Sequence, residues 1–369
     1  MPDSVKPSRL LLRLEAEIAA APTSIEADCK RAERAAYLAR LGRFDEARAE
    51  LDSIRRKYDL RPSAEMSSWL NLSEGLFSHF RDMDPGCREK ILRAHALSSA
   101  ASLTKLQALS AAWLAQMDYL RVDVASMARH IAEAFRLTTP EGHAARSRAS
   151  LVVAQAYHLG GRMNLALPWY GRARDHALAE GDDATISALM HNMAWLRAQQ
   201  LRIGGSVPSE SPRDETHAML SADSVANFDW MIGSSSLGSL VPVLRAQILA
   251  ARGEYAEALA LYESYIAEAI HEGMGRLQAD MVADQAWCRL QLGQVQLAWS
   301  DALAAEACID ARGHFDDRAI AHGRLARVFA ACGDRDKANL HERLSAEAWS
   351  GHSAFQQHIL EALEALKGL

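Results

Sequence analysis

Cysteine, proline and surplus positive charge are all scarce in this 369-residue chain. The five cysteines (Cys29, Cys87, Cys288, Cys308 and Cys332) contain no C-x-x-C pair and are odd in number. That argues against a disulfide framework or a zinc site and fits reduced thiols in a cytoplasm. Ten prolines and 21 glycines leave most of the chain free for uninterrupted helix. Lys and Arg total 41 against 47 Asp and Glu, a net charge of −6, so no cationic excess exists to neutralise a phosphate backbone and nucleic acid is not an expected partner. No apolar run reaches 18 residues, which excludes a helical membrane insertion. The Leu10–Leu12 triplet is broken up by Arg13, Glu15 and Glu17, so it is no secretory core.

Sequence signatures of chemistry are missing as well. The glycine pairs at 160–161 and 204–205 are not followed by Lys-Ser/Thr, and no G-x-S-x-G, H-E-x-x-H or kinase pattern occurs. The 14 histidines include no H-x-x-x-H pair. Asp182-Asp183 and Asp316-Asp317 stand where helices begin, as caps and dipole partners do. No catalytic residue, metal or cofactor is therefore expected, and the chain does not read as an enzyme.

What is present is a folded composition, 49% hydrophobic and 24% charged, on a chain longer than the roughly 250–300 residues at which one core stops growing. It must divide into domains or extend as a repeat array. A periodic G-x-apolar-x-x-A element supports the second course. It stands at Gly42–Ala47, Gly161–Ala166, Gly253–Ala258, Gly293–Ala298 and Gly333–Ala338. Glycine there ends one helix in a left-handed turn, and the alanine lets the next helix approach closely. Gly253, Gly293 and Gly333 are 40 residues apart. Counting back from Gly161 by 39–40 residues reaches Val122, then Asp82, then Gly42. The 92 residues between Gly161 and Gly253 are two steps plus 12, matched by a Gly/Ser/Pro-rich insertion at about 203–214. Ala35/Leu38, Val153/Ala154/Tyr157, Ala258/Tyr262/Tyr265 and Ala298/Ala302/Ala305 show the helical spacing of a buried face.

The runs Leu38–Leu51, Ala154–Ala173 and Ala246–Tyr265 resemble the tetratricopeptide repeat, with a step longer than that family's ~34 residues. The resemblance covers residues 28–350. It implies an all-α, right-handed superhelical solenoid of about eight antiparallel helical hairpins, with capping helices at 1–27 and 351–369. It further implies a concave face built from the first helix of each hairpin. Placing the frame by each turn puts Gln116, Tyr119, Arg148, Gln155, His158, His191, Asn192, Trp195, Gln247, Asp280, Trp287, Arg324 and Arg327 on that face. Amides there would hydrogen-bond an extended peptide and tryptophans would supply contact area. Four of these have a plainer reading: Trp195 and Trp287 packing between repeats, Arg324 and Arg327 as solvated charge. The function implied is a non-catalytic scaffold or adaptor that binds a protein or peptide in its groove. The alternative is a sensory array that binds a signal peptide or small molecule and controls an output module on another chain or in a longer parent. The closing Ala365–Leu369 is apolar enough to pair with a second copy, which leaves a homodimer open.

Overall fold

A computed structural model describes residues 8–60, 63–204, 212–310 and 313–366. The chain is all-helical, 84% helix in 17 α-helices with no strand among the described residues. No helix among them is long and apolar enough to cross a membrane. Two compact units emerge: unit 1 comprises 1–189, 228–236 and 356–369, and unit 2 comprises 190–227 and 237–355.

Unit 1 runs through α1 (Arg9–Ala20), α2 (Ser24–Arg40), α3 (Phe44–Tyr58), α4 (Ala64–Asp82), α5 (Cys87–Ala100), α6 (Thr104–Leu120), α7 (Val124–Leu137), α8 (His143–Leu159) and α9 (Met163–Glu180). Side chains of Thr23, Ser63 and Asp123 cap α2, α4 and α7 by accepting a backbone N–H three residues on. Each even-numbered helix packs on its successor, and α2, α4, α6 and α8 also pack on one another in series. The reason lies in small residues: Ala32, Ala35, Ala108, Ala111, Ala149 and Ala154 are fully buried, so backbones come close.

Unit 2 holds the rest of α10 (Asp183–Gly204) and α11 (Pro212–Ile232), which begin or end in unit 1, then α12 (Leu240–Ala251) and α13 (Tyr255–His271). A 3-10 turn (Met274–Leu277), α14 (Gln278–Gln291), α15 (Val295–Cys308), α16 (Phe315–Ala331) and most of α17 (Arg335–Glu364) follow. Here α12 packs on α14, and α14 on α16.

The corners follow the glycine element. Gly42, Gly161, Gly253, Gly293 and Gly333 take φ of +80°, +70°, +81°, +75° and +88°. The next residue's N–H reaches back to the carbonyl five residues earlier at each: Arg43 to Leu38, Arg162 to Tyr157, Glu254 to Leu249, Gln294 to Arg289 and Asp334 to Phe329, at 2.9–3.0 Å. Val122, reached by counting alone, turns the same way at φ +63°, with Asp123 N–H on Asp118 O at 2.9 Å. The corner expected at Asp82 falls one residue later, at Met83, φ +49°.

Three expectations need correction. Residues 351–364 are no separate cap but the continuation of the 30-residue α17, which runs through Gly351 without a break. α11 already begins at Pro212, a favoured first helical residue, so the insertion does not extend to 214 as loop. Residues 205–211 of that insertion lie outside the described residues. α1 does not simply close an end: Leu10 and Leu14 are buried against Tyr37, Leu41, Ala184 and Ile232 inside unit 1.

Candidate functional site

In unit 2 five elements converge on a buried ionic network. α14 carries Asp280 and Asp284 four residues apart, one turn of helix, among the buried Ala279, Met281, Ala283 and Ala286. Carboxylates on so apolar a face must be paired. Arg202, from α10, supplies the pair: its guanidinium reaches Asp280 through two nitrogens at 2.8 and 2.5 Å, and Asp284 Oδ2 at 2.8 Å. Arg324 Nε, from α16, meets the other Asp284 oxygen at 2.8 Å, and Tyr262 Oη donates to Asp284 at 3.0 Å. Gln199 accepts from Arg202 at 2.8 Å.

Burial alone would push the Asp284 carboxyl up, but Arg202 and Arg324 outweigh it and hold it below the ordinary range. For Asp280 burial wins over Arg202, and its carboxyl is raised. Asp317, in the first turn of α16, is pushed up to about 7 by burial and by the neighbouring Asp316, despite Arg276 at 3.1 Å. It lies in the first turn of α16 as a dipole partner but does not cap the helix, whose N-cap is His314 with no side-chain hydrogen bond. Asp182, by contrast, does cap α10, accepting from Thr185 N at 2.9 Å.

Beside this network lies a cleft of about 700 Å³ between α16 and α17. Arg202, Arg324, Arg327 and Arg335 line it, and Glu342 is the one acidic residue among its described lining residues. Alanines 319, 326, 330, 338 and 346 keep the cleft open, while Asn339, Ser345 and Trp349 line it on α17. Trp287 of α14 lies under both Arg324 and Arg327, 5.5 and 5.9 Å from the ring centre. That stacking orients the guanidinium groups.

Asp280, Trp287, Arg324 and Arg327 are thus brought together in unit 2. His191, Asn192 and Trp195 sit on α10 and Gln247 on α12, outside the cleft lining. Trp195 packs against the apolar cluster around Val241 and Leu244, as its plainer reading held. Gln116 and Tyr119 on α6, with Arg148, Gln155 and His158 on α8, belong to unit 1. The expectation of solvent-lined groove positions fails for Gln116, Arg148, Gln155, His158, His191, Gln247 and Asp280, all 9% exposed or less. Alanine-rich neighbours bring adjacent first helices close enough to cover them.

Sequence reasoning missed Arg202, Asp284, Arg335 and Trp349, and read Asp317 only as a helix-start acid and Tyr262 only as a core residue. One signal was available: two acids at i, i+4 on the apolar side of α14 demand a cation from elsewhere. Among the described residues no three His, Cys, Asp or Glu side chains gather in a way that could hold a metal ion. No protein-family model matches the chain, and no curated protein matches it.

Proposed function

We propose that this chain is a tetratricopeptide-like array of about eight helical hairpins, wound as a right-handed solenoid. On this reading it binds an acidic segment of a partner protein, without chemistry, in the cleft between α16 and α17. The observation that carries the binding reading is the lining of that cleft: guanidinium groups from Arg202, Arg324, Arg327 and Arg335, with Glu342 the one acidic side chain among the described lining residues. Asp280 and Asp284 hold the guanidinium groups of Arg202 and Arg324 in place beside the cleft. Asn339 offers an amide to a peptide backbone, and Trp349 an indole face. The array reading is supported by the recurring left-handed corner, by its step of 40 residues, and by the serial packing of alternate helices in each unit.

Fluorescence anisotropy with two labelled peptides of equal length, one Glu/Ser-rich and one Lys/Ser-rich, tests it. The acidic peptide is expected to bind, more weakly as salt rises, and the doubly reversed Arg327→Glu/Arg335→Glu chain to bind it about tenfold or more weakly. Equal binding of both peptides, or indifference to the reversal, contradicts the proposal.

A further inference from the structure

A second charged interior, in unit 1, is not internally balanced. Arg40 at the end of α2 donates to both oxygens of Asp182 at 2.9 Å, and to Thr185 Oγ1 at 2.6 Å. Asp182 is thereby committed, and its carboxyl is held low by Arg40 against the effect of burial. Arg148, on α8, comes in beside this pair with 5% exposure and no carboxylate of its own. Its hydrogen bond to Thr185 is long, 3.4 Å, to an oxygen already shared with Arg40 and Asp182. Its buried Nε has no hydrogen-bond partner. Burial and the Arg40 cation both act against its charge. Two guanidinium groups and one carboxylate leave one positive charge in a buried setting, where an uncompensated ion costs several kcal/mol.

These groups line a cavity of about 50 Å³. Arg148 lies against one face of the Trp113 ring, 3.9 Å from its centre, and Arg40 is 5.5 Å from the same ring. Trp69, Leu72 and Leu76 supply an apolar wall. Glu33 and Glu180, at the edge, are held by Lys30 and Arg13.

We propose that this cavity binds a small carboxylate, held on the Nε side of the Arg148 guanidinium beside Arg40 and against the Trp113 indole. One negative charge completes the balance. A planar two-oxygen anion matches the guanidinium fork, which a spherical halide does not. The volume, at roughly 10–15 Å³ per water, suits a group of about three to five heavy atoms. That is the size of formate or acetate, and too small for a peptide terminus with its flanking residues. The site is independent of the cleft in unit 2 and does not rest on its function.

Thermal unfolding of the whole chain in acetate, formate or chloride at equal ionic strength and neutral pH tests the proposal. A ligand of the native state raises the unfolding temperature in a saturable way; acetate and formate are expected to do so and chloride not. Arg148→Met keeps the side-chain length and removes the charge, and is expected to weaken the acetate response about tenfold or more. In the unaltered chain, methyl-labelled acetate should show an Overhauser contact to an indole signal that Trp113→Phe removes. Superimposable acetate and chloride curves, an unchanged response in Arg148→Met, or no contact to Trp113 overturns the proposal.

Discussion

Arg148 and Arg202 each carry a guanidinium into a helical interior, one in unit 1 and one in unit 2, at 5% and 6% exposure. Arg202 meets two carboxylates from one helix face and a glutamine, and its charge is held far more firmly than in water. Arg148 meets a shared threonine and an indole, and its charge is disfavoured. Depth is the same; what differs is whether a neighbouring helix delivers acids in register. α14 does so by placing Asp280 and Asp284 one turn apart. A buried charge so paired joins elements together, and one left short is a place for a ligand.

The sharpest way to break the comparison is to remove each cation in turn. Arg202→Met leaves Asp280 and Asp284 buried with Arg324 alone, and should cost roughly 3–5 kcal/mol in denaturant unfolding. Arg148→Met leaves the Arg40–Asp182 pair intact and should change stability by less than about 1 kcal/mol, or raise it. Equal losses would refute the contrast.

A smaller effect compares the same corner in the two units. Gly293→Ala meets open space and should cost only the left-handed penalty, about 1–2 kcal/mol. Gly42→Ala pays that penalty and also drives a methyl to 2.5 Å from Ser235 Oγ and 2.6 Å from Ser236 N. Its loss on unfolding should exceed that of Gly293→Ala, and equal losses would mean the 228–236 segment does not dock there.

A further contrast is one of pH dependence. Asp317 is raised to about 7 in the folded chain, above the carboxyl's ordinary value near 4. The native state therefore holds a proton that the unfolded state releases, and stability falls as pH climbs from about 4 to 7, then levels. Asp317→Asn should flatten that slope and gain most over the parent above pH 7. Asp182, held low by Arg40, should show the opposite sign: its contribution is present above about pH 4 and fades on acidification below it. An unchanged slope in Asp317→Asn would show that Asp317 is ionised throughout.

The helical character and its corners were legible because they depend on local rules. Glycine spacing located five left-handed corners, and counting located Val122, whose side chain gives no hint of a positive φ. Burial of Ala218, Ala222 and Val225 followed from the same frame. The site was legible only in part. Asp280, Trp287, Arg324 and Arg327 were named from their register on the first helices. Their partners Arg202 and Tyr262 lie on α10 and α13, and no periodicity reports which distant helix supplies a counter-charge. The extent of burial was misjudged for a related reason: how far Gln116, Gln155 and Gln247 are covered depends on the separation of alternate helices, and that is set by packing across the repeat.

A charge-swap titration tests the central claim most directly. The Arg327→Glu/Arg335→Glu chain is titrated with the acidic and basic labelled peptides beside the unaltered chain. The account predicts that preference inverts, with the reversed chain binding the Lys-rich peptide and releasing the Glu-rich one. A reversed chain that folds normally and still favours the acidic peptide would place recognition outside the cleft between α16 and α17.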